Sequence, residues 1–364
     1  DLFNLYVFYE ISSLAGYALL AVGDRKAPVA AFRYVILGTT GASFYLLGIG
    51  FLYVLTGSLN MADVARLMPT LHDNPALAVA LALIVAGVGL KMALFPLHGW
   101  QPDAYTHASS TTTAIIAPVM TKVSAFVLLR LLFFVFGVDL VARLLPAASI
   151  LAWLSAAGIV VTSVMAIAQR DVKRMLAYSS VAQVGYIGLG IGLANPWALT
   201  GAVLHILNHA TMKCCLFLVT GSVALHARRR TVAEYAGLGR TMPWTFASFT
   251  LAAVAMVGLP PTNGFFSKWY LLLGTIHSGS WTLVAIVGAS SLLTAVYFFR
   301  LLESIYTGPA TAKPEAPAGD PAAPMLVPAL VLGVAVLVLG LCNSWFVTQV
   351  LQPALPAAIR LPGS

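Results

Sequence analysis

Long apolar runs follow one another along almost the whole of this chain. A helix needs about 20 apolar residues to cross the hydrocarbon core of a bilayer, so each such run predicts a transmembrane span. The runs are separated by segments rich in glycine, proline, asparagine or charged residues, which are turn signals. The ten predicted spans are 3–22, 28–56, 74–98, 111–137, 146–168, 174–194, 196–226, 243–275, 279–306 and 322–350. The sequence therefore predicts an all-α integral membrane protein.

Composition agrees with this class and excludes several functions. The chain is 60% hydrophobic and 9% charged, whereas soluble domains are about 25% charged. Its three cysteines lie in apolar segments without ligand spacing, so neither a disulfide framework nor a metal site is predicted. The net charge of +8 comes from loops and does not indicate a nucleic-acid partner. With no cysteine pattern for an iron–sulfur cluster and no glycine-rich nucleotide loop, we predict no cofactor and no redox chemistry in this chain.

The distribution of basic residues predicts the orientation of the spans. If the ten spans alternate, ten loop lysines and arginines fall on one side and three on the other. The basic side is Arg25, Lys26, Arg170, Lys173, Arg174, Arg228, Arg229, Arg230, Arg240 and Lys313, and the other side is Arg66, Arg143 and Arg360. The positive-inside rule places the basic loops in the cytoplasm and both ends of the chain opposite, in a bacterial or archaeal plasma membrane.

Three further segments are interpreted from composition. Segment 60–72 has apolar residues at helical spacing and is predicted to lie along the membrane surface. The Pro- and Ala-rich stretch 307–324 is predicted to be an exposed linker. Because the chain begins at Asp1, without an initiator methionine or a signal-like segment, we interpret it as a fragment that lacks an N-terminal part.

Two of the spans carry proline next to a lysine. Lys91 precedes Pro96 in the third span, and Pro260 and Pro261 precede Lys268 in the eighth. Proline removes a backbone donor and clashes with the preceding turn, so both helices are predicted to break. Broken backbone at membrane depth is tolerated inside protein or along a hydrated cavity.

A pair of broken spans in two halves of a chain is typical of an inverted-repeat transporter. We therefore predict inverted five-helix units at 1–137 and 138–275. Residues 276–364 are predicted to add two further transmembrane helices joined by the Pro/Ala-rich loop.

Ionisable residues inside the apolar runs indicate a path for protons. Glu10, Lys91, Lys122 and Lys268 each lie within a span, where a charge costs roughly 2.5–3.5 kcal/mol on insertion scales. Any one of them alone could be a paired structural ion or a side chain that reaches the interface. Glu10 is the natural partner of Lys91, because a nearby carboxylate favours the charged form of a buried amine.

Histidines supply the middle of such a path. His205 and His209 lie four residues apart on one helix face, with Lys213 one turn further along. Histidine both accepts and donates protons near neutral pH. The same spacing suits a metal, but no third ligand accompanies it, so no metal is predicted. His98 and His107 flank the first break and, with Lys213, are candidates for a channel mouth.

Charges near the span ends receive structural interpretations. Arg300 and Glu303 are about one turn apart and are predicted to pair with each other. A solvated loop at the cytoplasmic edge is predicted for Asp171, Lys173 and Arg174.

Four motifs resemble those of a known family. They are KMALFPLHGWQPDAYTHA, RDVKRMLAYSSVAQVGYIGLG, LHILNHATMKCCLFLVTGS and GLPPTNGFFSKWYLL. They resemble the antiporter-like membrane subunits of respiratory complex I, a family that includes the large subunits of Mrp-type cation/proton antiporters and of membrane-bound hydrogenases. The resemblance implies a subunit of fourteen helices, of which this chain would hold helices five to fourteen. It also implies other membrane subunits as partners, within a lipid bilayer.

The resemblance also implies roles for particular residues. In the family's order these are the fifth-helix glutamate Glu10, the seventh-helix lysine Lys91, the eighth-helix lysine Lys122, the eleventh-helix histidines His205 and His209, and the ionisable residue Lys268 of broken helix twelve. The segment THASSTTT departs from the Ala-Pro that is more usual after helix seven.

The predicted function is proton translocation as a subunit of a complex I-type or related respiratory or hydrogenase complex. The alternative is a subunit of a multi-subunit antiporter that exchanges Na⁺ or another monovalent cation for protons. On either reading, an oxidoreductase label would come from partner subunits. A solitary solute transporter is disfavoured because the buried polar residues are nearly all titratable, and a passive channel because it needs no lysine at a broken helix.

Overall fold

The structure is a computed structural model that describes residues 1–143, 145–308 and 319–362. Within these ranges the chain is helical apart from its connections, and two isolated β-bridges join loop residues. Lys313 and the middle of the Pro/Ala-rich linker lie outside the described residues.

Most of the chain is in long helices joined by short ones. The longer helices are α1 Leu2–Ala21, α2 Ala27–Thr56, α4 Pro75–Met92, α6 Ser110–Arg130, α8 Leu145–Ile167, α9 Val172–Leu193, α10 Pro196–Ser222, α12 Pro243–Val257, α13 Asn263–His277, α14 Trp281–Thr307 and α15 Ala323–Leu341. The short helices are α3 Met61–Leu67, α5 Gln101–His107, α7 Val138–Arg143, α11 Leu238–Thr241, α16 Asn343–Phe346 and α17 Gln352–Ala354. Wider π-helical turns continue α6 over Leu131–Phe136 and α10 over Val223–Ala227, and another forms Val347–Leu351.

Eight helices in the described ranges are long and apolar enough to cross a membrane, where the sequence predicts ten spans. The first predicted span, α1, is not among these eight because Asn4 and Glu10 lower its mean hydropathy. The eighth predicted span is divided, and its first half, α12, is an apolar helix of 15 residues. The all-helical membrane class is confirmed.

Both predicted breaks are present. Helix α4 ends at Met92, where Ala93 takes the left-handed conformation with φ 60°, and helix resumes only at Gln101. Helix α12 ends at Val257, where Gly258 has φ 91°, and α13 begins at Asn263. A side chain at Gly264 would place its Cβ 1.9 Å from the carbonyl oxygen of Ala255. Only glycine allows the two halves to approach this closely.

The two predicted units each hold four long helical elements, rather than the five expected of each repeat. These are α1, α2, α4 and α6 in residues 1–137, and α8, α9, α10 and the divided α12–α13 in residues 138–275. Their inverted relation, and the boundaries at 137 and 275, stay predictions.

Helices α9 and α10 form the centre of the bundle. α9 packs on α8, α10 and α13, and 94% of its most apolar stretch is buried. α10 contacts α6, α9, α12, α13 and α15. By contrast, only 22% of the most apolar stretch of α15 is buried. Side chains on the facing sides of α9 and α10 are therefore the most enclosed in the molecule.

Candidate functional site

Glu10 and Lys91 form the predicted ion pair beside the first break. Lys91 lies in the last turn of α4 and its Nζ contacts a carboxylate oxygen of Glu10. The same Nζ donates a hydrogen bond to Ser13 Oγ at 2.8 Å and lies 4.5 Å from the centre of the Tyr9 ring. Glu10 and Ser13 are one turn apart on α1 and so share a face. The Lys91 side chain is 3% exposed and that of Glu10 is 18% exposed.

Lys122 lies on α6 and has no carboxylate partner among the residues of the described ranges. It is 4% exposed, and its Nζ donates to the carbonyl oxygen of Ala117 at 2.6 Å. An ammonium buried with a single backbone acceptor is unfavourable compared with one in water. Such a group is suited to binding a proton transiently.

The two histidines of α10 are stacked in the centre of the bundle. Their ring centres are 5.8 Å apart and both side chains are fully buried. His205 is held through both ring nitrogens, with Nδ1 2.8 Å from Ser267 Oγ and Nε2 3.0 Å from Gln183 Oε1. Neither ring nitrogen of His209 has a hydrogen-bond partner in the described protein. Buried polar atoms normally have partners, so the unpartnered ring of His209 is unusual among the described residues.

Lys213 lies in the interior of the bundle, and its part in a channel mouth stays a prediction. It is fully buried on α10 and donates to the carbonyl oxygen of Leu176 at 2.8 Å and to the Ser179 hydroxyl, both on α9. Lys213 is buried because residue 213 is on the α9-facing side of α10, two turns beyond His205. Hydropathy alone does not show which side of a helix a residue occupies.

Among the described residues, backbone carbonyls at the second break, and not a carboxylate, accept hydrogen bonds from Lys268. Its Nζ donates to the carbonyl oxygens of Met256 at 2.8 Å and Val257 at 3.1 Å, and lies 5.0 Å from the centre of the Tyr186 ring. These carbonyls end α12 and have no partner within the helix. The C-terminal end of a helix carries partial negative charge, which favours a cation. The two broken helices therefore hold their lysines differently, one by a carboxylate and the other by backbone.

His98 lies within the first break, between Met92 and Gln101, and His107 lies after it. His98 is half-buried, stacked on Phe95 at 5.4 Å, and its Nδ1 has no partner among described residues. His107 ends α5, and its Nδ1 lies 3.0 Å from Asp24 Oδ2.

The charges around His107 form a structured surface, which we call the basic edge. It consists of the loop 22–26, helix α5, the start of α9 and the segment 228–232. Backbone hydrogen bonds join these parts in pairs, from Asp24 N to His107 O at 3.0 Å and from Val172 N to Arg230 O at 3.0 Å.

The predicted solvated loop at the start of α9 is therefore wrong. Arg174 pairs with Asp103 at 3.3 Å, Lys173 donates to the carbonyl oxygen of Ala108, and Asp171 caps α9 by accepting from Arg174 N. Sequence reasoning missed Asp103 and Asp24, although both lie beside predicted span ends, where an acid has basic loops to pair with.

The predicted pairing of Arg300 with Glu303 is also wrong. The Arg300 guanidinium donates to the carbonyl oxygens of Ile167 at 2.8 Å and Gln169 at 3.1 Å. Ile167 ends α8, where carbonyls have no partner within the helix and the partial negative charge favours a cation.

The pKa of Asp24, at the basic edge, leads to a testable prediction. Partial burial tends to raise the pKa of Asp24, but hydrogen bonds from His107 and the Lys26 amide, together with the charge of Arg230, outweigh it and lower the pKa below 3.8. Folding therefore gains stability from Asp24 above that pH and loses it as the pH falls through the lowered value.

We expect Asp24→Asn to reduce the free energy of unfolding at neutral pH by less than about 1 kcal/mol, since the pair is partly exposed. The deficit should shrink at an acidic pH below the lowered pKa of Asp24, where the wild-type carboxylate also protonates. Thermal denaturation of the purified protein at both pH values measures this. An equal deficit at the two values would contradict the assignment.

This chain is similar in sequence to known membrane proteins. The sequence profile described as NADH:quinone oxidoreductase/Mrp antiporter, TM, matches residues 1–294. The N subunit of the NADH-quinone oxidoreductase of Desulforudis audaxviator is 54% identical over 373 residues, covering 100% of this chain and 74% of that protein. A Na(+)/H(+) antiporter subunit of Alkalihalophilus pseudofirmus is 30% identical over 311 residues, covering 85% of this chain and 62% of that protein.

A solved structure shares the fold. The Mrp complex from Dietzia sp. DQ12-45-1b contains a chain that matches with a TM-score of 0.85 and 26% identity, over 95% of this chain and 72% of that one. This all-helical bundle therefore shares its fold with a chain of the Mrp complex. This chain belongs to the NADH:quinone oxidoreductase/Mrp antiporter family, which confirms the resemblance seen in its motifs.

Proposed function

We propose that this chain carries protons across an energy-coupling membrane, as an antiporter-like subunit of a complex I-type or related respiratory or hydrogenase complex. The observation that supports this best is the set of buried basic side chains, which runs from the Glu10–Lys91 pair at one broken helix to Lys268 at the other. Four lysines are buried, Lys91, Lys122, Lys213 and Lys268, and only the first has a carboxylate partner among the described residues.

The central histidines connect these lysines. His209 lies within electrostatic range of Lys122, His205, Lys213 and Lys268. A proton on any of the lysines therefore disfavours a proton on His209, because like charges repel strongly in a desolvated site. Protonation of Lys122 would in this way promote transfer of a proton from His209 toward Lys268. A relay of this kind needs titratable groups and backbone acceptors, and no redox centre.

The first step is opening of the Glu10–Lys91 pair. While the pair is closed, the carboxylate favours the charged form of Lys91. When the two groups separate, the buried ammonium loses its counter-charge and its proton can pass to Lys122. We propose that the basic loops face the cytoplasm of a bacterial or archaeal cell, following the positive-inside rule. Relatives in multi-subunit membrane complexes support other membrane subunits as partners.

The second candidate is a subunit of a Na⁺/H⁺ antiporter, since one relative carries that name. Na⁺ is a hard cation that is bound by oxygen atoms. The buried groups described here are mainly amines and imidazoles, and the ammonium groups would repel Na⁺. The geometry of this chain therefore favours protons as the ion that it carries.

The two candidates are separated by the ion requirement of transport. Inverted membrane vesicles that contain the whole complex are energised in buffers with Na⁺ or with choline in its place, and the initial rate of proton uptake is recorded. We expect equal rates in both buffers. Net uptake that is lowered by Na⁺ but not by choline, because protons leave the vesicles in exchange for Na⁺, would support the antiporter alternative and overturn the first proposal.

A further inference from the structure

A buried arginine without a partner lies at the basic edge. Arg229 is 6% exposed, and its Nε has no hydrogen-bond partner. Among the described residues its guanidinium takes part in no ion pair either. A buried charge without a counter-charge is unfavourable, and arginine cannot escape the cost by losing its proton. The nearly buried, permanently charged side chain of Arg229 therefore favours an anion beside it.

The carboxylates near Arg229 already have other hydrogen-bond partners. Asp171 accepts from Arg174 N at 2.9 Å, and Glu234 accepts from the amides of Arg230 and Thr231 at 3.0 and 2.9 Å. Asp24 is bound by His107 and lies 3.8 Å from Arg230. Glu234 comes within electrostatic range of Arg229 but forms no ion pair with it. Arg229 also lines a small cavity.

We call this cavity the edge pocket. It measures about 20 Å³ and is lined by Thr106, Ser110, Asp171, Lys173, Thr220, Ala224, Arg229 and Arg230. A volume above roughly 10–15 Å³ accommodates one water-sized atom. One oxygen atom of a larger anion fits inside, while the rest of the anion stays at the mouth beside the exposed Arg230.

The donors around the edge pocket suit a phosphate. Lys173 has three N–H groups, of which one is bound to Ala108 O. Ser110 opens α6, a helix of 21 residues, so the amides of its first turn point outward and favour an anion. The hydroxyls of Thr106 and Thr220 already donate to carbonyl oxygens of their own helices. Asp171 also lines the pocket and opposes an anion, but two arginines and a lysine outnumber it.

We propose that the edge pocket binds the phosphate group of an anionic membrane lipid. The location favours a lipid over a soluble ion because the pocket lies where α6 and α9 begin and α10 ends, at the edge of the apolar part of the bundle. Exposed arginines at the same edge attract anionic lipid, and basic pockets between transmembrane helices bind such headgroups. The inference is independent of the proposed proton path, because Arg229 and Lys173 take no part in it.

The test uses the purified, delipidated complex that contains this chain. Binding of fluorescent phosphatidylglycerol is titrated for the wild type, for Arg229→Gln and for Arg228→Gln. Arg228 is the matched control, since it is the preceding arginine and is exposed. We expect the affinity to fall about tenfold in Arg229→Gln, the effect of losing a hydrogen bond to a charged group. Arg228→Gln should bind as the wild type does.

Two further arms keep the proposal testable. If Arg229→Gln does not assemble, Lys173→Gln is titrated in its place and should also weaken binding about tenfold. Inorganic phosphate is then added as a competitor of the labelled lipid and separately as a ligand. Equal lipid affinity in the wild type and the assembled variant would overturn the proposal, as would saturable, Arg229-dependent binding of inorganic phosphate without such binding of lipid.

Discussion

Replacing Glu10 with Gln is expected to reduce proton uptake by the assembled complex at least about tenfold, which corresponds to 1.4 kcal/mol in the barrier. Glutamine keeps the size of the side chain but removes the charge that holds Lys91 in its charged form. Ser13 remains as a neutral acceptor, so α1 and α4 stay in contact. Lys91→Ala should have the same effect on uptake, because it removes the other half of the pair.

The matched control is another pair that bridges two helices. Arg33 and Asp103 join α2 to α5 at 3.3 Å, but the Arg33 side chain is 66% exposed. Arg33→Ala should leave uptake within twofold of the wild type, since exposed ion pairs are worth about 1 kcal/mol or less. The measurement is the initial rate of proton uptake into inverted vesicles, normalised to the amount of subunit on an immunoblot. Normal uptake in Glu10→Gln would contradict a role for the pair.

The second large effect is expected at Lys268. Lys268→Ala removes the donor to two terminal carbonyls of α12, so loss of uptake there could arise from damage to the break itself. Lys268→Arg separates the two explanations. Arginine still donates to the carbonyls and keeps the charge, but it does not release its proton in a protein.

We therefore expect Lys268→Arg to assemble at wild-type abundance and to lose at least about nine-tenths of proton uptake, again the tenfold effect of 1.4 kcal/mol. The thermal stability of the purified complex is recorded beside the uptake rate. Arg66→Ala, at an exposed pair with Asp63, serves as a control and should change neither quantity. If Lys268→Arg transports at the normal rate, Lys268 holds the break together and is not a relay group.

The long helices could be predicted from hydropathy, but the ends of several could not. The third predicted span runs to residue 98, whereas α4 ends at Met92, because the residues after the break, Ala93 to Leu97, are as apolar as the helix before it. The last predicted span runs to residue 350, whereas α15 ends at Leu341. Hydropathy measures where a segment is buried and carries no information on where its backbone changes direction.

The site was predictable where it depends on charge. Glu10 is the one acid well inside a span, so its pairing with Lys91 followed from electrostatics and is present. The partners of Lys268 and Arg300 are backbone carbonyls at helix ends, which exist only once the helices have formed. Gln183, which holds His205, is likewise defined by the contact between α9 and α10. The sequence shows none of these in advance.

The central claim is that protons pass through the buried lysines of this chain. It is tested most directly by proton uptake into inverted vesicles that carry the whole complex with Lys91→Ala, Lys122→Ala or Lys268→Ala, beside Arg33→Ala and Arg66→Ala as controls. We predict that each lysine variant inserts normally and loses most of its uptake, while both controls keep theirs. Full uptake in all three lysine variants would contradict the claim, and the chain would then be a scaffold around a pathway in its partner subunits.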